Sequence, residues 1–145
     1  MKVLLCGERI IIDQSLIEPL ERKYDVVIPK DDTDLETVIK RMQISLIIFE
    51  ITNRREKQLQ ILKMLKSKFT ELSVIAIDDK KDVQNTIDTF NAGATDVFLT
   101  PYNIALLVER IEAIFKVTKK HSKNKNPQNT AKIVSKEVIS IKDTQ

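Results

Sequence analysis

The apolar positions of this chain follow two alternating rhythms. Short runs in which nearly every residue is apolar occur at Lys2–Cys6, at residues 24–29 (Tyr-Asp-Val-Val-Ile-Pro), 44–51 (Ile-Ser-Leu-Ile-Ile-Phe-Glu-Ile) and 73–77, and at Asp96–Leu99. Continuous runs of this length predict strands buried on both faces, as in a parallel sheet covered by helices. Between the runs, apolar residues recur every three or four positions, the spacing of one helix face. Leu16, Ile17 and Leu20 mark a helix over residues 10–23, and Leu35, Val38, Ile39 and Met42 a second. Leu59, Ile61, Leu62, Leu65 and Phe69 mark a third. Val83, Ile87 and Phe90 fall at i, i+4 and i+7 on a fourth, and Leu107, Ile111 and Ile114 give a fifth its buried face.

Local chemistry supplies the ends. Ser15 and Glu18 have the spacing of a capping box, which would leave Pro19 in the first helical turn, and Thr33 and Glu36 repeat that spacing. Gly93 stands where a left-handed cap would end the fourth helix, Thr100-Pro101 breaks the fifth strand, and Asn103 can cap the fifth helix. Five strands alternating with five helices through short loops imply parallel pairing by right-handed crossovers. The predicted class is therefore α/β: a doubly wound, five-stranded parallel sheet of flavodoxin-like (βα)5 type, strand order 2-1-3-4-5.

Charge divides the chain. Residues 1–115 carry 16 Lys/Arg against 19 Asp/Glu, a balance of −3, whereas residues 116–145 carry 8 against 2, a balance of +6. The expected organisation is one domain over residues 1–117, a basic polar linker over 118–130, and a tail over 131–145 that either docks or begins an output domain. Lys116, Lys119, Lys120, Lys123, Lys125 and Lys132 lack interleaved aromatic residues or arginines. Lysines alone give salt-sensitive, unspecific attraction, so a solvated linker is favoured over nucleic-acid binding. No apolar run is long enough for a membrane span or signal peptide, and a lone cysteine fits a reducing cytoplasm.

Most catalytic classes are excluded. Two glycines, Gly7 and Gly93, rule out phosphate-cradling loops. The single cysteine, Cys6, lies in an aliphatic run and reads as a core thiol, and the single histidine, His121, sits in the linker. What remains is a set of acids at strand ends: Glu8, Glu50, Asp78 and Asp79. Open α/β sheets place their chemistry at this carboxyl edge. Acids there are either ordinary solvent-facing groups or, if they converge, a site for a hard cation or small ligand.

Residues 92–102, Ala-Gly-Ala-Thr-Asp-Val-Phe-Leu-Thr-Pro-Tyr, resemble the Ala-Gly-Ala-Asp-Asp-Tyr-Leu-Thr-Lys-Pro-Phe segment of the receiver domain of two-component response regulators. Residues 45–51 and 74–77 resemble that family's third and fourth strands, and the resemblance covers residues 2 to about 117. Receivers catalyse their own phosphorylation: an aspartate attacks a phosphoryl donor while Mg²⁺ and a lysine neutralise the phosphoryl oxygens. This sequence departs from the pattern at each of those places. Glu50 stands at the acceptor, Gly7 and Glu8 at the acidic pair, Asp78 at the Thr/Ser, Thr100 at the lysine and Val97 at the aromatic switch. The resemblance also implies a cis bond between Thr100 and Pro101.

The resemblance thus implies a pseudo-receiver, a signalling module without enzymatic activity or cofactor, in which Mg²⁺ binds weakly at most through Glu8 and Glu50. Its family's fourth helix, fifth strand and fifth helix form the output and dimer face. Ile87, Phe90, Phe98, Leu106, Val108 and Arg110 are the corresponding candidates here, facing a second copy, another protein or an output domain. The alternative is a divalent-metal or small-ligand sensor built from Glu8, Glu50, Asp78 and Asp79.

Overall fold

The structure, a computed structural model, describes residues 1–30 and 34–123, with side chains through residue 117. Five strands form one parallel sheet: β1 (Lys2–Cys6), β2 (Asp25–Val27), β3 (Leu46–Ile51), β4 (Ser73–Asp78) and β5 (Asp96–Leu99), in the order β2-β1-β3-β4-β5. Between and after them come α1 (Gln14–Glu21), α2 (Leu35–Met42), α3 (Arg55–Lys68), α4 (Val83–Asn91) and α5 (Ile104–Lys123). The alternation and the strand order are those expected of the doubly wound sheet.

The strand β3 is the centre of the core. It pairs with β1 on one side and β4 on the other, and all six of its residues are buried. Its Ile47, Phe49 and Ile51 join Leu4, Ile39, Leu62, Leu65, Val74 and Ala76 in one apolar cluster. A strand enclosed on both edges and both faces has no polar surroundings for an ionised side chain, so the acid near its end must find a partner within the protein.

Several boundaries differ from expectation. The span 10–23 divides into a 3-10 turn at Ile10–Ile12 and α1, because Asp13 caps α1 by accepting from the Ser15 backbone N–H at 3.1 Å. The helix thus starts ahead of Ser15, and Pro19 lies inside it rather than in its first turn. Asp34 caps α2, accepting from the Glu36 N–H at 3.1 Å; the expected cap, Thr33, lies outside the described residues. The strand β2 is shorter than its apolar run, and α3 begins well before its first apolar residue.

The fourth helix is instructive. Val83, Ile87 and Phe90, which share one face, point outward, with 79%, 45% and 44% of their surface exposed. The buried positions are Thr89 and, just past the helix, Ala92. Small side chains let a helix approach closely, and the Thr89 hydroxyl satisfies itself by donating to the Asn85 carbonyl at 2.8 Å. At the end of α4 the Gly93 N–H donates to the Phe90 carbonyl and the Ala94 N–H to the Thr89 carbonyl, at 3.0 and 3.3 Å, the two bonds of a Schellman cap. Gly93 has φ +118°, as such a cap asks of a glycine.

Asn103 caps α5 as expected, accepting from the Leu106 N–H at 3.2 Å. The helix continues through Lys123, past the composition break at 117. Among the described residues one compact unit ends at Val108 and a second begins at Glu109, so the cut falls inside α5. Within α5, Leu107, Ile111, Ile114 and Phe115 are buried. The rest of the expected linker and the tail over 131–145 lie outside the described residues.

Candidate functional site

Parallel pairing brings the ends of the strands to one edge. Register places Glu50 beside Ile77 and Ile51 beside Asp78, and Asp78 in turn beside Leu99. The carboxylates of Glu50 and Asp78 are therefore carried by neighbouring strands, and both residues are buried, 4% and 0% exposed. The Thr100–Pro101 bond that follows β5 is cis, as the resemblance implied, and the Thr100 N–H donates to the Asp78 carbonyl at 2.9 Å.

Glu50 is held by one residue, Arg9, just beyond β1. The Arg9 backbone N–H donates to Oε1 at 3.1 Å and its Nε–H to Oε2 at 2.6 Å. The same guanidinium lies 3.5 Å from Asp79 Oδ2, so it bridges two carboxylates from different strand ends. The Glu50 hydrogen bond, followed by its charge, pushes the Arg9 pKa upward. The Glu50 side chain lies directly against Gly7. A Cβ at position 7 would stand 2.3 Å from Glu50 Cβ and 2.4 Å from Oε1, and Gly7 has φ +151°. The carboxylate thus fills space that any side chain at position 7 would need. Behind it, Gln58 on α3 fixes the end of β3, donating to the Glu50 carbonyl at 3.2 Å and accepting from the Thr52 N–H at 2.8 Å.

Asp78 has its own arginine. Arg55, at the start of α3, donates from Nη2 to Asp78 Oδ1 at 2.5 Å, and the Lys80 N–H reaches the same oxygen at 3.1 Å. Asp78 Oδ2 and Arg55 Nη1 are buried with no hydrogen-bond partner, so the pairing is one-pronged where a fork was available. Two further groups face Glu50. Burial, then the charge of Glu50, pushes the Cys6 thiol up to about 11. Tyr102 is raised by burial, then by Asp13 and Glu50. Neither is ionised at neutral pH, so Cys6 is an inert thiol, as its aliphatic neighbours suggested.

The four strand-end acids do not gather into one metal-holding group among the described residues. Glu8 is exposed, Asp79 is exposed and reaches Arg9, and no three His, Cys, Asp or Glu side chains are placed to hold a metal ion among the described residues. Mg²⁺ demands several oxygens in near-octahedral array. Here Gly7 offers none and both Glu50 oxygens accept from Arg9, so the residues as arranged do not present Glu8 and Glu50 as the oxygen array the ion asks for. The reason is that guanidinium groups, absent from the sequence reading, supply the positive charge. Arg9, Arg55, Gln58 and Tyr102 were all missed. A buried acid requires a cation, and arginines directly following two apolar strands were the available signal.

Of the remaining candidates, Val97 is half-buried and packs against the core cluster. Ile87, Phe90 and Leu106 are exposed, while Phe98, Val108 and Arg110 are half-buried. No helix is long and apolar enough to cross a membrane among the described residues.

Comparisons with known proteins agree with the fold. No family model matches the chain. A curated relative, response regulator RR06 of Streptococcus pneumoniae serotype 2, is 24% identical over 117 residues, covering 80% of this chain and 54% of its own. The chain thus spans about half the length of that relative. Among solved structures, the receiver domain of a putative LuxO repressor protein from Vibrio parahaemolyticus superposes with a TM-score of 0.71 at 20% identity, covering 83% of this chain and 94% of the other. An atypical orphan response regulator, described as revealing a phosphorylation-independent regulatory mechanism, superposes with a TM-score of 0.67 at 23% identity, covering 80% and 96%.

Proposed function

We propose that this chain, which has the fold of a response-regulator receiver domain and whose sequence matches a curated response regulator, is a pseudo-receiver. It is a non-catalytic module of bacterial two-component signalling that works through protein contacts and not through phosphorylation of residue 50. One observation carries the reading. The carboxylate at the acceptor position is buried, with both oxygens accepting from Arg9, in the space above Gly7.

Chemistry supports it at each step of the family's reaction. A nucleophile must meet the phosphorus in line, and a displacement of roughly 1 Å can cost about a hundredfold in rate. Glu50 extends further than an aspartate and is turned onto Arg9. The lysine position holds Thr100, which removes a fixed charge from a reaction driven mainly by electrostatics. Asp78, already engaged with Arg55, offers a carboxylate in place of a hydroxyl that could donate to a phosphoryl group carrying nearly two negative charges. The phosphorylation-independent mechanism described for the orphan regulator is consistent with such a site being used without its chemistry.

The protein-contact half of the proposal rests on α4 and α5. Val83, Ile87, Phe90 and Leu106 are large apolar residues left exposed. Large apolar residues left in water, Val83, Ile87 and Phe90 sharing one side of α4, are the usual material of interaction surfaces. The partner is a second copy of the chain or another protein seated on that face.

Incubating the protein with acetyl phosphate and Mg²⁺ and assaying for an acid-labile acyl phosphate tests the first half. No label is expected; a label lost in Glu50→Gln would overturn the reading. Sedimentation at rising concentration tests the second, with a dimer expected in the wild type and a monomer in Phe90→Glu.

A further inference from the structure

We propose that Arg9 is the pocket's resident cation: its guanidinium holds the place a divalent ion would take and keeps such ions out. This deepens the reading of an unphosphorylated pocket and rests on it. The argument begins from charge. Glu50, on the central strand, and Asp79, after β4, present carboxylates toward one point, and repulsion between them must be offset by a positive group. The group found there is Arg9, 2.6 Å from Glu50 Oε2 and 3.5 Å from Asp79 Oδ2. Bridging carboxylates from separate strand ends is what a hard divalent cation does with oxygen ligands. Guanidinium does so as a covalently attached donor, and it pays no dehydration of an ion on each binding event.

Three observations make the substitution self-consistent. The backbone N–H of the same residue also binds Glu50, so main chain and side chain of Arg9 grip one carboxylate. Gly7, beside it, removes the side chain that could have supplied another oxygen ligand, and its lack of a Cβ is what admits Glu50. The Arg9 side chain is 60% exposed while that of Glu50 is 3% exposed, so the cation reaches in from solvent and covers the acid. Removing Arg9 would uncover a carboxylate pair without dismantling the strand that carries it.

The test is Mn²⁺, followed by paramagnetic broadening of backbone amide resonances in the full chain, with Mg²⁺ as diamagnetic competitor. The wild type is expected to show no saturable broadening at Gly7, Glu50 or Asp79. Arg9→Gln is expected to acquire it, Mg²⁺ to reverse it, and Arg9→Gln/Glu50→Gln to lose it. Saturable broadening at Glu50 in the wild type, or none in a folded Arg9→Gln, would overturn the proposal. Should Arg9→Gln fail to fold, the Arg9 Nε–H resonance of the wild type decides: it should keep its shift through the Mg²⁺ titration, and its loss would show the ion displacing Arg9. Acyl-phosphate formation is scored separately, so a labelled Glu50 sinks the pseudo-receiver reading, while Mn²⁺ binding by an unlabelled wild type sinks only the role given to Arg9.

Discussion

Gly7→Ala tests the packing on which the site depends. The new Cβ would stand 2.3 Å from Glu50 Cβ and 2.4 Å from its Oε1. Carbon atoms in contact normally sit about 3.5–4.0 Å apart, so the overlap exceeds ~1 Å. Turning the Glu50 side chain relieves the contact with Oε1 but not that with Cβ, which is fixed by the backbone of the central strand. Overpacking of this kind costs about 1–3 kcal/mol. The φ of +151° at position 7 adds roughly 1–3 kcal/mol for a residue with a side chain. Restricting the unfolded chain offsets only about 0.4–1 kcal/mol. The penalties win, and the expected net loss is about 2–5 kcal/mol, a large share of the ~5–15 kcal/mol that stabilises a domain. Urea denaturation followed by far-ultraviolet circular dichroism measures it. Gly7→Ala/Glu50→Ala should recover only part of the loss, since the Cβ–Cβ overlap remains. A Gly7→Ala protein within about 0.5 kcal/mol of wild type would refute the placement of Glu50 over Gly7.

Arg55→Met keeps the apolar stem of the side chain but leaves Asp78, fully buried, without its cation. Breaking a buried pair costs about 3–5 kcal/mol, and the one-pronged contact argues for the lower end; Arg55→Met/Asp78→Asn should recover part of it in the same denaturation assay. The Cys6 thiol should titrate near 11 rather than at its ordinary 9.0, read from thiolate absorbance, and this being the only cysteine makes the signal unambiguous. Its sign in stability follows. Below pH 9 both folded and unfolded chains hold the proton and the contribution is fully present. Between 9 and 11 the unfolded chain releases the proton first, so wild type should lose up to about 2–3 kcal/mol relative to Cys6→Ala as pH rises. The comparison with Cys6→Ala is needed because Lys66, whose pKa is lowered by burial, contributes with the opposite sign in the same range.

The fold was legible because it is written in the longest-range regularity of the chain, the alternation of buried runs with helical stripes. What was not legible is what depends on competition between neighbours. Two caps fall to Asp13 and Asp34 because an Asp stands within two residues of the expected Ser or Thr and accepts from the helix backbone. The apolar spacing marks α4 only as amphipathic, with Ile87 and Phe90 among the candidates for the interaction face, and does not say which residues lie beneath. The structure buries Thr89 and Ala92, since small residues allow closer approach and the threonine hydroxyl needs no outside partner. In the site, the positions of Glu50, Asp78 and Gly7 followed from strand order, but the arginines did not. Side chains long enough to reach across a sheet edge leave no periodic trace, and only the requirement that a buried charge be paired points to them.

That requirement also explains why the departures at positions 7 and 50 belong together. An acid at the end of a fully enclosed strand tolerates lengthening only if the longer side chain finds both room and a counter-charge. Gly7 supplies the room and Arg9 the charge, and neither would suffice alone. With a side chain at 7, the Glu50 carboxylate would have to leave the position from which it meets Arg9; without Arg9, the carboxylate beside Gly7 would be buried and unpaired. Asp78 repeats the solution with Arg55 on the next strand. Each buried acid at this edge therefore carries its own arginine, and the field that would draw in a metal ion is spent inside the protein. Shortening Glu50 to aspartate would lengthen the 2.6 Å contact to Arg9 without restoring a ligand at position 7 or a lysine at position 100. The single substitution should accordingly weaken the fold and still yield no acyl phosphate.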